Sequence, residues 1–134
     1  MKSASVVLLA AIAILAGQPS FAAELKDQMK VQIDRAQAHS GMPDGTYVCA
    51  AGHLHVKASV QNLAAVPVGA VKVSGKALDA DGKVLGTASA STRKPELDPR
   101  ETAPVDLEFL SVTGALIEQV KNEELAVVSV APKR

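Results

Sequence analysis

His39, Met42, Cys49, His53 and His55 fall within one 17-residue window of a 134-residue chain. That window holds all three histidines and the only cysteine. Imidazole, thiolate and thioether are the ligand types that suit Cu(I) or Zn(II). These five residues are the candidate metal ligands, and the softness of the set makes copper the expected ion.

Whether they can share an ion depends on the element that carries them. From Leu54 to Asn62 apolar and polar residues alternate strictly, the pattern of a strand with one face in a core and one in water. Continued backwards, the alternation puts Cys49, His53, His55, Lys57, Ser59 and Gln61 on the open face. Val48, Leu54, Val56, Ala58 and Val60 take the apolar one. Tyr47 to Asn62 is thus read as one strand. Positions i and i+2 are about 7 Å apart and positions i and i+4 about 13 Å apart in a straight strand. The second spacing is too wide for an ion bound about 2.0–2.3 Å from each ligand. Cys49 joins the histidines only if Ala50-Ala51-Gly52 bends, which Gly52 permits. A one-residue bulge there would instead turn Cys49 towards the core. Two exposed strand histidines beside a small buried thiol is the competing reading.

The rest of the chain must position this stretch. Met1-Lys2-Ser3 is a short basic start, Val6 to Ala16 is an uncharged apolar run, and Ser20-Phe21-Ala22 offers the small residues of a signal-peptidase site. The run is about half the length that spans a bilayer. Residues 1–22 are therefore expected to be a cleaved signal peptide, with Ala23 the alternative cut. The mature protein is expected in the periplasm, or else fully secreted, with no stable membrane insertion. No cysteine directly follows the cut, which argues against a lipid anchor. In such a compartment a lone cysteine is a buried thiol, a metal ligand, or one half of an intermolecular disulfide.

After cleavage 13 Lys and Arg stand against 14 Asp and Glu, and the aromatic residues are Tyr47 and Phe109. A near-neutral surface argues against nucleic acid, and the scarcity of rings argues against stacking sites for bases or sugars. The core must be built from Val, Leu, Ile and Ala. Strands are expected at about 29–36, 47–62, 68–78, 83–90, 103–110 and 125–130. Asp79-Ala80-Asp81-Gly82 makes a hairpin turn with Gly82 at positive φ. Residues 23–38 read ambiguously as helix or strand, and 112–124 as a crossover loop or short helical turn. Six or seven short strands separated by turn signals predict an all-β, antiparallel, two-sheet sandwich of the immunoglobulin-like kind. Residues 23–53 are expected to form an N-terminal strand and loop segment, and 54–131 the sandwich core, within one domain.

Four stretches resemble a known family. They are Val56-Lys57-Ala58-Ser59-Val60-Gln61-Asn62, Val71-Lys72-Val73, Leu78-Asp79-Ala80-Asp81-Gly82-Lys83-Val84-Leu85-Gly86 and Leu97-Asp98-Pro99-Arg100-Glu101-Thr102-Ala103-Pro104-Val105. Together they are similar to the FxLYD-type domain of secreted bacterial proteins, over about residues 54–130. Arg100 stands where that pattern usually has Gly, Val105 where it has Phe, and Ala77-Leu78 lacks the aromatic of the name-giving strand. The resemblance implies an immunoglobulin- or fibronectin-like sandwich and no enzymatic activity.

Other signals read as structure. Asp79-x-Asp81-Gly82 lacks the later ligands of a calcium loop. Glu118, Asn122, Glu123 and Glu124 read as a solvated crossover. Arg93, Lys94 and Arg100 are offset by Glu96, Asp98 and Glu101. There is no G-x-S-x-G elbow and no phosphate-binding glycine loop. The expected function is a small, non-enzymatic binding module that presents sheet edges and loops to a periplasmic protein partner. The alternative is a copper or zinc protein using His53, His55 and Cys49, with His39 and Met42.

Overall fold

The computed structural model describes residues 25–35 and 42–133. The expected leader at 1–22 and the candidate ligand His39 lie outside them. The chain forms β1 (Met29–Ile33), β2 (Thr46–Val48), β3 (His53–Asn62), β4 (Val68–Gly69), β5 (Val71–Leu78), β6 (Val84–Ser91), β7 (Glu96–Leu97), β8 (Thr102–Thr113), a five-residue helix α1 (Ala115–Gln119) and β9 (Asn122–Val130).

Strand β3 is the hub of the first sheet. Its alternation is realised residue by residue: Leu54, Val56, Ala58, Val60 and Asn62 are buried, and the residues between them are half-buried. Strand β8 bonds to one edge of β3. Strand β2 bonds to the first half of the other edge and β1 to the second half, all antiparallel. The second sheet has the order β6-β5-β9, also antiparallel, and β4 with β7 forms a two-stranded ribbon. The inner faces of the two sheets share one hydrophobic core. This is the expected all-β sandwich.

Phe109 is the largest fully buried side chain. It fits because Gly75 leaves room in the facing sheet. A methyl group at Gly75 would come within 2.8 Å of Leu107 Cδ2 and 3.3 Å of Phe109 Cζ. The rest of the core is mainly Val, Leu and Ala, each buried Val or Leu contributing about 1.5–3 kcal/mol of transfer free energy.

Asn62 ends β3 and is fully buried. Its Nδ2 donates to the carbonyls of Val66 (3.0 Å) and Leu97 (3.1 Å), and its Oδ1 accepts from the Ala64 N–H at 2.9 Å. One side chain thus satisfies the 63–67 turn and the β7 segment together, as a buried amide must. The backbone N–H of Arg100 donates to the Asn62 carbonyl at 2.7 Å. Arg100 itself has φ +73°, the left-handed region that favours glycine.

Several expectations are corrected. Tyr47 to Asn62 is not one strand. It is the hairpin β2–β3, because Gly52 adopts φ +87° and reverses the chain. The expected strand over 68–78 breaks at Ala70 into β4 and β5, and the 94–102 connection carries β7, which covers β4. The first strand is shorter than expected, at Met29–Ile33. Of the two readings of 112–124, the helical turn is the one observed, as α1.

Candidate metal centre

The β2–β3 hairpin decides the geometry. The Gly52 N–H donates to the Cys49 carbonyl at 2.9 Å, and the Cys49 N–H donates to the His53 carbonyl at 3.1 Å. A three-residue loop with glycine in the left-handed position closes a hairpin in this way. Tyr47 then lies opposite His55, and Val48 opposite Leu54. Six residues of straight strand would separate Cys49 from His55 by about 20 Å. The turn brings them together on the outer face of the first sheet.

Strand β8 completes the face from the other side of β3. His55 pairs with Glu108 and Lys57 with Asp106. Their outward side chains meet the histidine. His55 Nδ1 lies 2.8 Å from Asp106 Oδ1. The Tyr47 hydroxyl donates to Asp106 Oδ2 at 2.5 Å and lies 3.1 Å from His55 Nδ1. The Tyr47 and His55 rings stack at 4.7 Å, and Lys57 Nζ sits 5.2 Å from the tyrosine ring centroid. Arg93 approaches Asp106 at 3.8 Å. The network assigns the His55 proton to Nδ1, donated to Asp106.

That assignment leaves Nε2 as the free lone pair. Nε2 is buried, makes no aligned hydrogen bond, and lies 3.0 Å from Glu108 Oε2. Ligand atoms of Cys49, His55 and Glu108 all lie within 4.8 Å of one another. The edge of a tetrahedron with ligands about 2.0–2.3 Å from its centre is about 3.3–3.8 Å. A movement of about 1 Å therefore closes the group. The Glu108 side chain is 45% exposed and that of His55 12%. His53 Nδ1, also buried and without a hydrogen-bond partner, lies 3.7 Å from Glu108 Oε2.

The electrostatics follow from these contacts. The Cys49 thiol is lowered from its ordinary value, first by the His53 backbone N–H. The Ala51 N–H and then His55 act in the same direction, against an opposing effect of burial. Burial pulls His55 down, yet Asp106 and the neighbouring Cys49 sulfur outweigh it and hold His55 above its ordinary value. Tyr47 is pushed up to about 12 by burial and then by Asp106, so it donates and does not ionise near neutrality. Charged sulfur and charged or metal-bound imidazole favour each other here.

The structure thus brings together Cys49, His55 and, at slightly longer range, His53. Met42, half-buried, packs against the hydrophobic core. Sequence reasoning missed Glu108, Asp106 and Tyr47. Asp106 and Glu108 were visible as outward polar positions of an alternating strand, but their register against β3 was not. The basic stretch reads as a solvated face only in part. Lys94 pairs with Glu101, while Arg93 faces the site.

No protein-family model and no curated protein matches this sequence. A solved structure described as the structural characterization of IrmA from Escherichia coli is similar, with a TM-score of 0.48 and 14% identity over 80% of each chain.

Proposed function

We propose that this is an exported, non-enzymatic zinc-binding protein that holds the ion through Cys49, His55 and Glu108. The observation that carries the reading is the convergence of those three ligand atoms around an imidazole nitrogen left free by Asp106. A carboxylate that fixes a ligand histidine through its other nitrogen is the usual outer partner of a metal-bound imidazole. With a carboxylate in place of the thioether, the donor set suits Zn(II) better than Cu(I). Three protein ligands leave a fourth position for water, for His53 or for a partner's side chain.

Calorimetric titration of the reduced mature protein with zinc tests this. One ion per chain is expected, with affinity reduced at least about 100-fold in Cys49→Ser and in His55→Gln. No binding, or stoichiometric binding that survives Cys49→Ser and His55→Gln combined, would overturn it.

A second reading is an interaction module, in keeping with the FxLYD resemblance. Strand β9 bonds only to β5 among the described strands, so its other edge faces away from the second sheet. Lys26, Asp27, Met29, Val31 and residues 125–127 line a cleft along that side. An extended peptide can add to such an edge. A periplasmic protein partner that co-purifies and persists after chelation would favour this reading over the zinc one.

A further inference from the structure

The two sides of the sandwich differ. On one, β8 lies against β6: a methyl group at Gly86 would come within 2.5 Å of Val112 Cγ2 and 3.0 Å of Ser111 Oγ. On the other, a cleft runs between Met29 and Val31 of β1 and Leu125 and Val127 of β9. Val31, Leu125 and Val127 pack against the core there, yet stay only half-buried. Among the described strands β9 bonds to β5 alone, so every second residue of β9 turns its N–H and C=O groups to the open side. Such an edge is commonly blunted by Lys or Pro. Strand β9 runs nine residues, Asn122–Val130, with neither.

The sequence of β9 suits one partner in particular, the same strand of a second copy running antiparallel. Residues opposite each other in a sheet must lie on the same face. In β9 Glu123, Leu125 and Val127 are half-buried on the inner face, and Glu124, Ala126 and Val128 are exposed on the outer one. The strand can therefore pair with its copy only in registers where one residue faces itself on the two-fold axis. The register centred on Ala126 overlaps all nine residues. It sets Leu125 against Val127 and Glu124 against Val128. Glu123 and Glu124 then face uncharged residues, and at the axis the smallest side chain of the strand meets itself. A register centred on either glutamate would oppose two carboxylates, which is destabilising.

We infer that the protein forms a two-fold homodimer through β9, which joins the two β6-β5-β9 sheets into one continuous antiparallel sheet. The edge is about 30 Å long, and the two sheets of each copy lie about 10 Å apart. With the apolar rim of the cleft included, each copy covers about 600 Å², at the low end of specific interfaces. The dimer is therefore a reversible one. The inference rests on the interaction reading of the β9 edge and names its partner. It does not involve the zinc ligands.

The test is sedimentation equilibrium of the reduced mature protein in chelator, over a wide concentration range from micromolar upwards. A monomer–dimer equilibrium is expected. Ala126→Lys lies on the exposed face and brings two ammonium groups together at the axis. It is expected to weaken the dimer at least about 10-fold while urea unfolding of the monomer stays near wild type. Val128→Lys sets an ammonium against the second copy's Glu124 and should leave the dimer within about 3-fold of wild type. A monomer at every concentration, a dimer insensitive to Ala126→Lys, or equal weakening by both variants would overturn the inference. The wild-type measurement decides even if a variant does not fold. A monomer that retains a different periplasmic protein after chelation would sink this inference alone. A dimer that retains no other protein would sink the interaction reading alone.

Discussion

The β2–β3 and β5–β6 hairpins close with the same backbone bonds and the same glycine conformation, and a side chain able to accept a hydrogen bond, Cys49 or Asp79, stands at the same position of each turn. They differ in what surrounds the acceptor. Asp79 is half-buried at its turn, and its carboxylate serves the turn alone, accepting the N–H groups of Asp81 and Lys83. Cys49 faces a sheet surface that carries His55, His53 and Glu108, with Asp106 behind the imidazole. A turn motif that serves only to reverse the chain in one place becomes part of a candidate site in the other. The difference lies in the neighbouring strand and not in the turn.

The largest effect that bears on this contrast is expected at Asp106. Replacing it with Asn leaves both turns intact but removes the group that orients His55. Zinc affinity should weaken about 10–100-fold, read by calorimetry, while urea unfolding changes little by comparison. Unchanged affinity would mean that the imidazole is held by its packing against Tyr47 alone.

Next come the acceptors themselves. Asp79→Ala leaves two turn N–H groups without their charged acceptor, and about 1–2 kcal/mol of stability should be lost in urea melts. Cys49→Ala should cost clearly less, since sulfur is a weaker acceptor than a carboxylate. Equal losses would erase the contrast, because they would show Cys49 acting in the fold as strongly as Asp79.

A pH experiment separates this site from a carboxyl group on the second sheet. Glu123 has a buried Oε2 without a hydrogen-bond partner. Burial, then Asp44, pushes it up to about 7 from an ordinary 4.5. Its folded form therefore binds protons more tightly than its unfolded form. The stability it contributes is fully present below pH 4.5 and is lost as pH rises through about 7. Glu123→Gln should flatten that part of the stability–pH curve by about 1 kcal/mol, after discounting for its half-exposed position. His55 is also raised, so its contribution has the same sign and is lost above its ordinary value. A curve that keeps its full slope in Glu123→Gln would assign the whole effect to the cysteine hairpin.

The smallest effect is expected at Arg100, whose φ of +73° is unfavourable for a side chain. Arg100→Gly should gain about 0.5–1 kcal/mol in the native state, partly offset by the greater freedom of glycine when unfolded. Zinc binding should not change. A loss of stability would mean that contacts of the Arg100 side chain outweigh its backbone strain.

Much of this architecture was legible before any coordinates. The alternation from Leu54 to Asn62 names the buried and outward residues of β3 correctly. Asp79-Ala80-Asp81-Gly82 announces its hairpin, because Asp and Gly have strong turn chemistry. Cys49-Ala50-Ala51-Gly52 has the same spacing to its glycine, yet alanines carry no turn signal and the cysteine disguised the acceptor position. The strict alternation was also extended backwards across the turn from Leu54, which is why the hairpin read as one long strand.

Composition and spacing by themselves determined an all-β chain with a polar outer face on β3 and with Cys49, His53 and His55 as the residues able to do chemistry. Side-chain period and turn chemistry are local properties, readable along the chain. Only the tertiary structure decided which strand lies beside β3 and in which register. Pairing His55 with Glu108 and Lys57 with Asp106 joins residues more than 45 positions apart, and no local preference encodes that distance. The same pairing supplies the carboxylate that orients the imidazole and the carboxylate that completes the ligand group.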